Sequence, residues 1–305
     1  HMKPLEILNL DIAIIGLGSM GYGIASSCLR AGHTVWGVDI SPEQTTKFCD
    51  QGGESSSFSE AVSRLDAVAI VVLNAVQTET VLFGGDGIVK HLKAGCVVVA
   101  CATVSPLFAK DMEARCAQFG VHYLDAPISG GSVKAANGQL SIMASGTPEA
   151  FSFAGPLLDS ISETVFKLGN EAGPGSAMKS VNQLLAGVHI AVMAEALTFG
   201  MTQGVTPEKF VEVISKCAGS SWMLENRAPH IVDGDYTAHS SVNIWPKDLG
   251  IVLDVANSTN FDAPITTAAL QQFVAAAEMG FGNEDDSAVA KVYAKNAGLT
   301  LPNKV

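Results

Sequence analysis

The chain has 305 residues, enough for one large domain or two ordinary ones. Hydrophobic residues make up 48% of it and charged residues 16%, which excludes a disordered chain and requires sizeable cores. The formal net charge of −12 excludes a general attraction to nucleic acid or to an acidic membrane, so an anionic substrate needs a locally basic site.

Taken from the start, HMKPLEILNLD lacks the charged, apolar and small-residue succession of a secretory signal, and His1 before Met2 reads as a tag remnant. Residues 11–15 are short, apolar and β-branched, and predict a strand. Residues 16–21 read GLGSMG, a glycine turn. Residues 19–31 are apolar at helical spacing, with Gly32 as a stop. A second strand over 34–38 ends in Asp39, after which Ser41 and Pro42 read as the cap and first residue of another helix. This strand–turn–helix–strand unit has the length of a βαβ crossover. Residues 67–73 (AVAIVVL) and 96–101 (CVVVAC) are nearly all apolar, as in central parallel strands buried on both faces. A helix over 106–118 and strands over 121–125, 140–145 and 165–168 follow, with Thr147, Pro148 and Glu149 marking another helix start. The alternation predicts an α/β fold, a Rossmann-type doubly wound parallel sheet.

After Gly175 the pattern changes. Residues 176–203 carry no proline and are apolar around much of the helical circumference, which predicts a long helix buried on several sides. Further helices are expected over 207–218, 220–230, 246–258, 264–279 and 285–295, with almost no β-rich runs. The expected organisation is therefore a dinucleotide-binding domain over residues 1–171 and an all-helical substrate and oligomerisation domain over 172–305, joined by the long helix. No run of about 18 apolar residues escapes polar interruption, so no membrane span is expected. The cysteines, Cys28, Cys49, Cys96, Cys101, Cys116 and Cys217, form no C-x-x-C pair and no cluster with histidines, which argues for reduced thiols of a cytoplasmic protein and against a metal site.

The candidate chemistry starts at GLGSMG. Gly16 permits the tight turn out of the strand, Gly18 lets backbone approach a pyrophosphate, and Gly21 lets the helix pack closely on the strand. Leu17, Ser19 and Met20 complete the turn. Asp39, at the end of the second strand, can accept hydrogen bonds from adenosine ribose hydroxyls and would repel a 2′-phosphate, so NAD is expected rather than NADP. Its competing role as a helix cap is weakened because Ser41 stands at that position. Three segments remain. ATVSP (102–106) follows a parallel strand, where Thr103 either bonds the ribose or nicotinamide side or caps the next helix. DAPISGG (125–131) also follows a strand, and Ser129 with the Gly130 and Gly131 amides forms either a carboxylate nest or a tight loop. In GPGSAMKSVNQ (173–183), Lys179, Asn182 and Gln183 share one helix face and read as the lining of a polar pocket rather than as a snorkelling lysine with bystanders. His122, His189 and Glu195 read as structural groups, and Trp245 equally as pocket or core.

Together with WPKDL (245–249), these ordered motifs resemble the β-hydroxyacid dehydrogenase family, relatives of 3-hydroxyisobutyrate dehydrogenase and tartronate semialdehyde reductase, over nearly the whole chain. The resemblance implies that NAD is held by residues 16–21, Asp39, Leu73 and Thr103, that Ser129, Gly130 and Gly131 hold a substrate carboxylate, that Lys179 is catalytic, that Lys247 reaches the cofactor or substrate, and that the protein is a homodimer or homotetramer. Most of the family carries Asn four residues after the catalytic Lys. Gln183 stands there instead, with Asn182 beside it, and the chain is most similar to the branch of L-threonate dehydrogenases, which oxidise a four-carbon sugar acid at C2. The implied reaction is oxidation of a small hydroxy acid, Lys179 taking the hydroxyl proton as hydride leaves; a free lysine, with a pKa of about 10.4, is a poor base, and burial and the oxidised nicotinamide lower that value while the substrate carboxylate raises it. Alternatives of other classes are a non-catalytic dinucleotide-binding scaffold, which the presence of Lys179 opposes, and an imine reductase, which Asp39 and Lys179 oppose.

Overall fold

A computed structural model describes residues 9–304; the His1–Met2 pair, and most of the segment read for a signal, lie outside them. The chain divides into two compact units, the first ending at Lys179 and the second beginning at Ser180.

In the first unit, β1 (Asp11–Ile15) leads through the glycine turn into α1 (Ser19–Arg30) and β2 (Thr34–Val38). Then come α2 (Pro42–Asp50), the short α3 (Phe58–Ala61), β3 (Ala67–Ile70), α4 (Ala75–Phe83), β4 (Val97–Ala100), α5 (Pro106–Ala117) and β5 (His122–Asp125). The five strands form a parallel sheet in the order β2-β1-β3-β4-β5. Side chains alternate between two cores, as a strand period of two requires: Ile12, Ile14, Val97 and Val99 point to one, Ala13, Val68, Ile70 and Val98 to the other. The register aligns Val38, Ile15, Ile70, Ala100 and Asp125 across the sheet, so the loops that follow all five strands leave from one edge. The order reverses between β1 and β3, and in open α/β sheets ligands bind at such a point, beyond the carboxyl ends of the strands.

The expected parallel sheet stops there. After β5 come β6 (Ile128–Ser129), α6 (Gly131–Asn137), β7 (Leu140–Ala144), α7 (Pro148–Ile161) and β8 (Ser162–Lys167). They form a separate three-stranded sheet, β6-β7-β8, with β6 antiparallel to β7. Only Ala126 and Pro127 separate β5 from β6, whereas a parallel neighbour needs a crossover of about a dozen residues. An antiparallel bridge between Asp125 and Ser145 ties β5 to the end of β7. β3 also ends at Ile70 rather than at Leu73, because the chain turns out toward α4, where Leu73 and Val76 are exposed and the Asn74 side chain accepts the Gln77 N–H. The thiols of Cys28, Cys96, Cys101 and Cys116 are free and buried, and burial pushes each up to about 12.

α8 (Pro174–Thr202) starts in the first unit and runs into the second. The second unit continues with α9 (Pro207–Ile214), α10 (Trp222–Asp233), α11 (Ile244–Ser258), α12 (Pro264–Ala276) and α13 (Ala290–Ala297). Its core joins Ile190, Met193, Ala194 and Leu197 of α8 to Phe210, Leu224, Ile231, Leu249 and Phe273. By length and composition α8 could cross a membrane, yet this face is the centre of a protein core. Burial on several sides is not what forms: Val181, Leu185, Val192 and Phe199 are exposed. Apolar composition cannot specify which flank of a helix meets a partner element, and here only one flank does.

Candidate active site

At the sheet edge, the first and third glycines of GLGSMG are required by the fold. Gly16 has φ +96°, and a Cβ there would stand 2.1 Å from the Val71 carbonyl oxygen. A Cβ on Gly21 would stand 1.8 Å from the Gly16 carbonyl oxygen, so α1 could not pack at that distance. Gly18 differs: it opens α1 without a capping side chain, and a Cβ there meets nothing within 4 Å. Leu17 is buried, Ser19 is exposed, and Met20 packs against a core.

The Leu17 N–H donates to Asp39 Oδ2 at 2.7 Å, and the Ser41 N–H donates to Asp39 Oδ1 at 2.8 Å. Ser41 occupies the cap position of α2 but makes no capping bond with its side chain, which corrects the expectation that it relieves Asp39 of that work. One carboxylate holds both backbone groups. A carboxylate offers about four lone-pair sites, so Asp39 still has acceptors for ribose hydroxyls. An open Gly18, an α1 start without a side-chain cap and an acid at the end of β2 together fit NAD.

Leu73 is 65% exposed, and its N–H donates to Gln77 Oε1 at 2.9 Å. Thr103 lies in the loop after β4. Ser105, not Thr103, caps α5 by accepting the Phe108 N–H at 3.2 Å, which removes the structural alternative weighed for Thr103. Ser129 ends β6, and Gly130 and Gly131 follow with φ of +135° and +79°, a backbone path open to glycine and strained for other residues. Lys179 is 8% exposed, and its Nζ donates to the Ile128 carbonyl at 2.8 Å. The fold therefore brings Lys179 of α8 to the residue preceding Ser129, although 50 residues separate Ser129 from Lys179 in sequence.

In the second unit, Asn182 Nδ2 donates to Gln183 Oε1 at 2.9 Å, and Gln183 Nε2 donates to Asp248 Oδ2 at 2.6 Å. Lys247 Nζ stands 2.9 Å from Asp248 Oδ1. Both ends of the buried Gln183 amide are thus engaged, which orients Asn182 and leaves Asp248 as the group joining α8 to Lys247. Sequence reasoning missed Asp248; the signal was present as an acid beside a lysine in WPKDL, but its pairing with Gln183 needs the helix packing. Trp245 is core rather than pocket: it stacks on Phe273 and donates to Asp286 Oδ2 at 3.0 Å. His122 stacks on Phe153, and His189 lines an apolar groove with Val192, Met193, Phe210 and Leu224. Asp125 was also missed: it is 1% exposed and bonded to the start of α8.

Residues 11–169 match the family described as the NAD binding domain of 6-phosphogluconate dehydrogenase, and residues 173–293 match that described as NAD-binding of NADP-dependent 3-hydroxyisobutyrate dehydrogenase. The chain is 48% identical to the L-threonate dehydrogenase of Cupriavidus necator over 298 residues, covering 97% of this chain and 99% of that protein. It is 43% identical to the L-threonate dehydrogenase of Escherichia coli K12, covering 96% of this chain and 97% of that one. A crystal structure of a 3-hydroxyisobutyrate dehydrogenase from Salmonella typhimurium superposes with a TM-score of 0.87 at 43% identity, covering 93% of this chain and 100% of that one.

Proposed function

This chain belongs to the 3-hydroxyisobutyrate dehydrogenase-like family of β-hydroxyacid dehydrogenases, and from that premise we propose that it oxidises L-threonate at C2 to 2-dehydro-L-erythronate with NAD as the oxidant. Bound NAD supplies the hydride acceptor at nicotinamide C4. The reading rests on one observation above others: a buried lysine amine donates to the Ile128 carbonyl, at the entry to the Ser129–Gly131 loop.

The chain's own groups have distinct tasks. Residues 16–21 receive the pyrophosphate, Asp39 the adenosine ribose, and Leu73 and Thr103 flank the nicotinamide half. Ser129, Gly130 and Gly131 hold the substrate carboxylate. Lys179, as the neutral amine, takes the C2 hydroxyl proton while the C2–H bond breaks with its electron pair, leaving a ketone. The Ile128 carbonyl accepts from Lys179 Nζ and aims its lone pair. Asn182 and Gln183 are assigned to the substrate and Lys247 to the cofactor. Residues 1–171 act as the NAD-binding domain and 172–305 as the substrate and oligomerisation domain of a cytoplasmic homodimer or homotetramer, whose subunit number sedimentation measures.

Lys179→Ala should lower kcat at least about a hundredfold with NAD affinity little changed, since general acid–base catalysis contributes about 10²–10⁴-fold. A rate within a few-fold of wild type removes Lys179 from the chemistry. Turnover of L-threonate, D-erythronate, D-glycerate and 3-hydroxyisobutyrate is compared in parallel. Preference for the last, favoured by the Salmonella relative's name, overturns the threonate reading. NAD binding with no turnover of any acid would favour the scaffold alternative.

A further inference from the structure

Asp125 ends β5 with a carboxylate that makes no contribution to the chemistry described above. Its Oδ2 accepts the N–H groups of Gly173 at 3.0 Å and Ser176 at 2.8 Å, and the Ser145 hydroxyl at 3.3 Å. Its Oδ1 accepts the Ser176 hydroxyl at 2.6 Å. The Ser145 Oγ in turn accepts the Gly175 N–H at 2.8 Å. The first turn of α8 thus hangs from the ends of β5 and β7, and it is pressed close: a Cβ on Gly175 would stand 2.5 Å from the Met143 carbonyl oxygen. Burial pushes the Asp125 carboxyl up from its ordinary range, while its bonds from Ser176, Gly173 and Ser145 work against that shift. A carboxylate at a helix start also complements the positive end of the helix dipole.

The same two segments meet a second time. Ser176 and Lys179 are three apart on one helix face, and Asp125 and Ile128 are three apart across the β5–β6 link. Asp125 holds Ser176 while Ile128 holds Lys179. Lysine has a flexible four-carbon stem, so the position of its amine depends on where its backbone is held.

We propose that Asp125, acting through Ser176, is a positioning residue for Lys179: the clamp sets the height and rotation of the first turn of α8, and with them the place of the amine beside Ile128. The inference rests on Lys179 being the acid–base group.

The test is a double-mutant cycle. Ser176→Ala removes one bond and leaves the Asp125 charge in place, and Asp125→Asn keeps the side-chain volume. In the wild-type background each lowers kcat about ten- to a hundredfold, as expected for a misplaced catalytic group, with the NAD Kd unchanged. In the Lys179→Ala background neither lowers kcat further, because residues acting as a unit are non-additive. Thermal melting verifies folding; if Asp125→Asn does not fold, Ser176→Ala carries the test alone. Equal fold-losses in both backgrounds, with Lys179→Ala itself slow, overturn the positioning role and leave the acid–base role standing. A fast Lys179→Ala enzyme removes the acid–base role itself, and the inference with it. Ser176→Ala within twofold of wild type also overturns the inference.

Discussion

The carboxylate of Asp39 accepts the Leu17 N–H through one oxygen and the Ser41 N–H through the other, so it is already fixed in place before any ribose arrives. Hydrogen bonds to a charged group are worth about 1.5–3 kcal/mol, or roughly ten- to a hundredfold in affinity. Asp39→Asn should therefore weaken NAD at least about tenfold and narrow the preference over NADP, because the repulsion of a 2′-phosphate goes with the charge. Titration with both dinucleotides measures this, and an unchanged NAD-to-NADP ratio would contradict the assignment. The ribose role proposed for Asp39 is read from its place after the second strand, and its bond to Ser41 is local. Its bond to the Leu17 N–H was not legible, since that depends on loops brought together by the β1–β2 pairing. Gln183 is a similar case: the sequence marks it as a departure, while its bond to Asp248 exists only because α8 and α11 pack.

Within α1 and its turn, two glycines that look alike in sequence have different work. Gly21→Ala places a methyl 1.8 Å from the Gly16 carbonyl oxygen, a clash relieved only by moving α1 off the sheet. Gly18→Ala meets nothing in the protein itself. The expected outcomes diverge. Gly21→Ala lowers the Tm by several degrees or prevents folding, as strain of a few kcal/mol should. Gly18→Ala melts within about 2 °C of wild type but loses NAD affinity at least about tenfold, because the methyl occupies space the pyrophosphate needs. Melting curves with and without NAD distinguish the two, and a Gly18→Ala protein that binds NAD normally would refute the assignment. The same scale explains the second sheet. Strand segments were readable for β7 and β8, whereas β6 was read as part of a loop, and their separation from the parallel sheet follows from the two-residue β5–β6 link, whose consequence is geometric rather than compositional.

In the whole molecule, the second unit is stabilised around buried carboxylates at Asp285 and Asp286. Arg227 Nε donates to Asp286 Oδ1 at 2.6 Å, and His230 Nδ1 lies 2.8 Å from Asp285 Oδ2. The Asp285 hydrogen bond raises the His230 pKa above 6.5 against the opposing effect of burial. Burial works against ionisation of Asp285, yet the bonds from His230 and Ser287 together hold it down to about 2. A histidine whose pKa is raised on folding binds its proton more tightly in the folded state, so its contribution is complete below about 6.5 and is lost as pH rises through the folded value. The Tm difference between wild type and His230→Gln should shrink as the pH is raised from about 6 to about 9. A difference that grows over that range would reverse the assigned charge state.

The amino-acid sequence by itself determined the α/β unit, the helical unit after it and the dinucleotide turn, because periodicity, glycine spacing and an acid at a strand end are local signals that packing does not overrule. It also singled out Lys179, since a lysine flanked by amides in an apolar helix is costly without a polar site. Only the tertiary structure decided that β6–β8 leave the parallel sheet, that one flank of α8 stays exposed, and that Asp125 and Asp248 hold Ser176 and Gln183. For the two carboxylates the reason is separation along the chain. A hydrogen bond between residues 51 or 65 positions apart depends on where two elements come to rest, and no local pattern carries that distance.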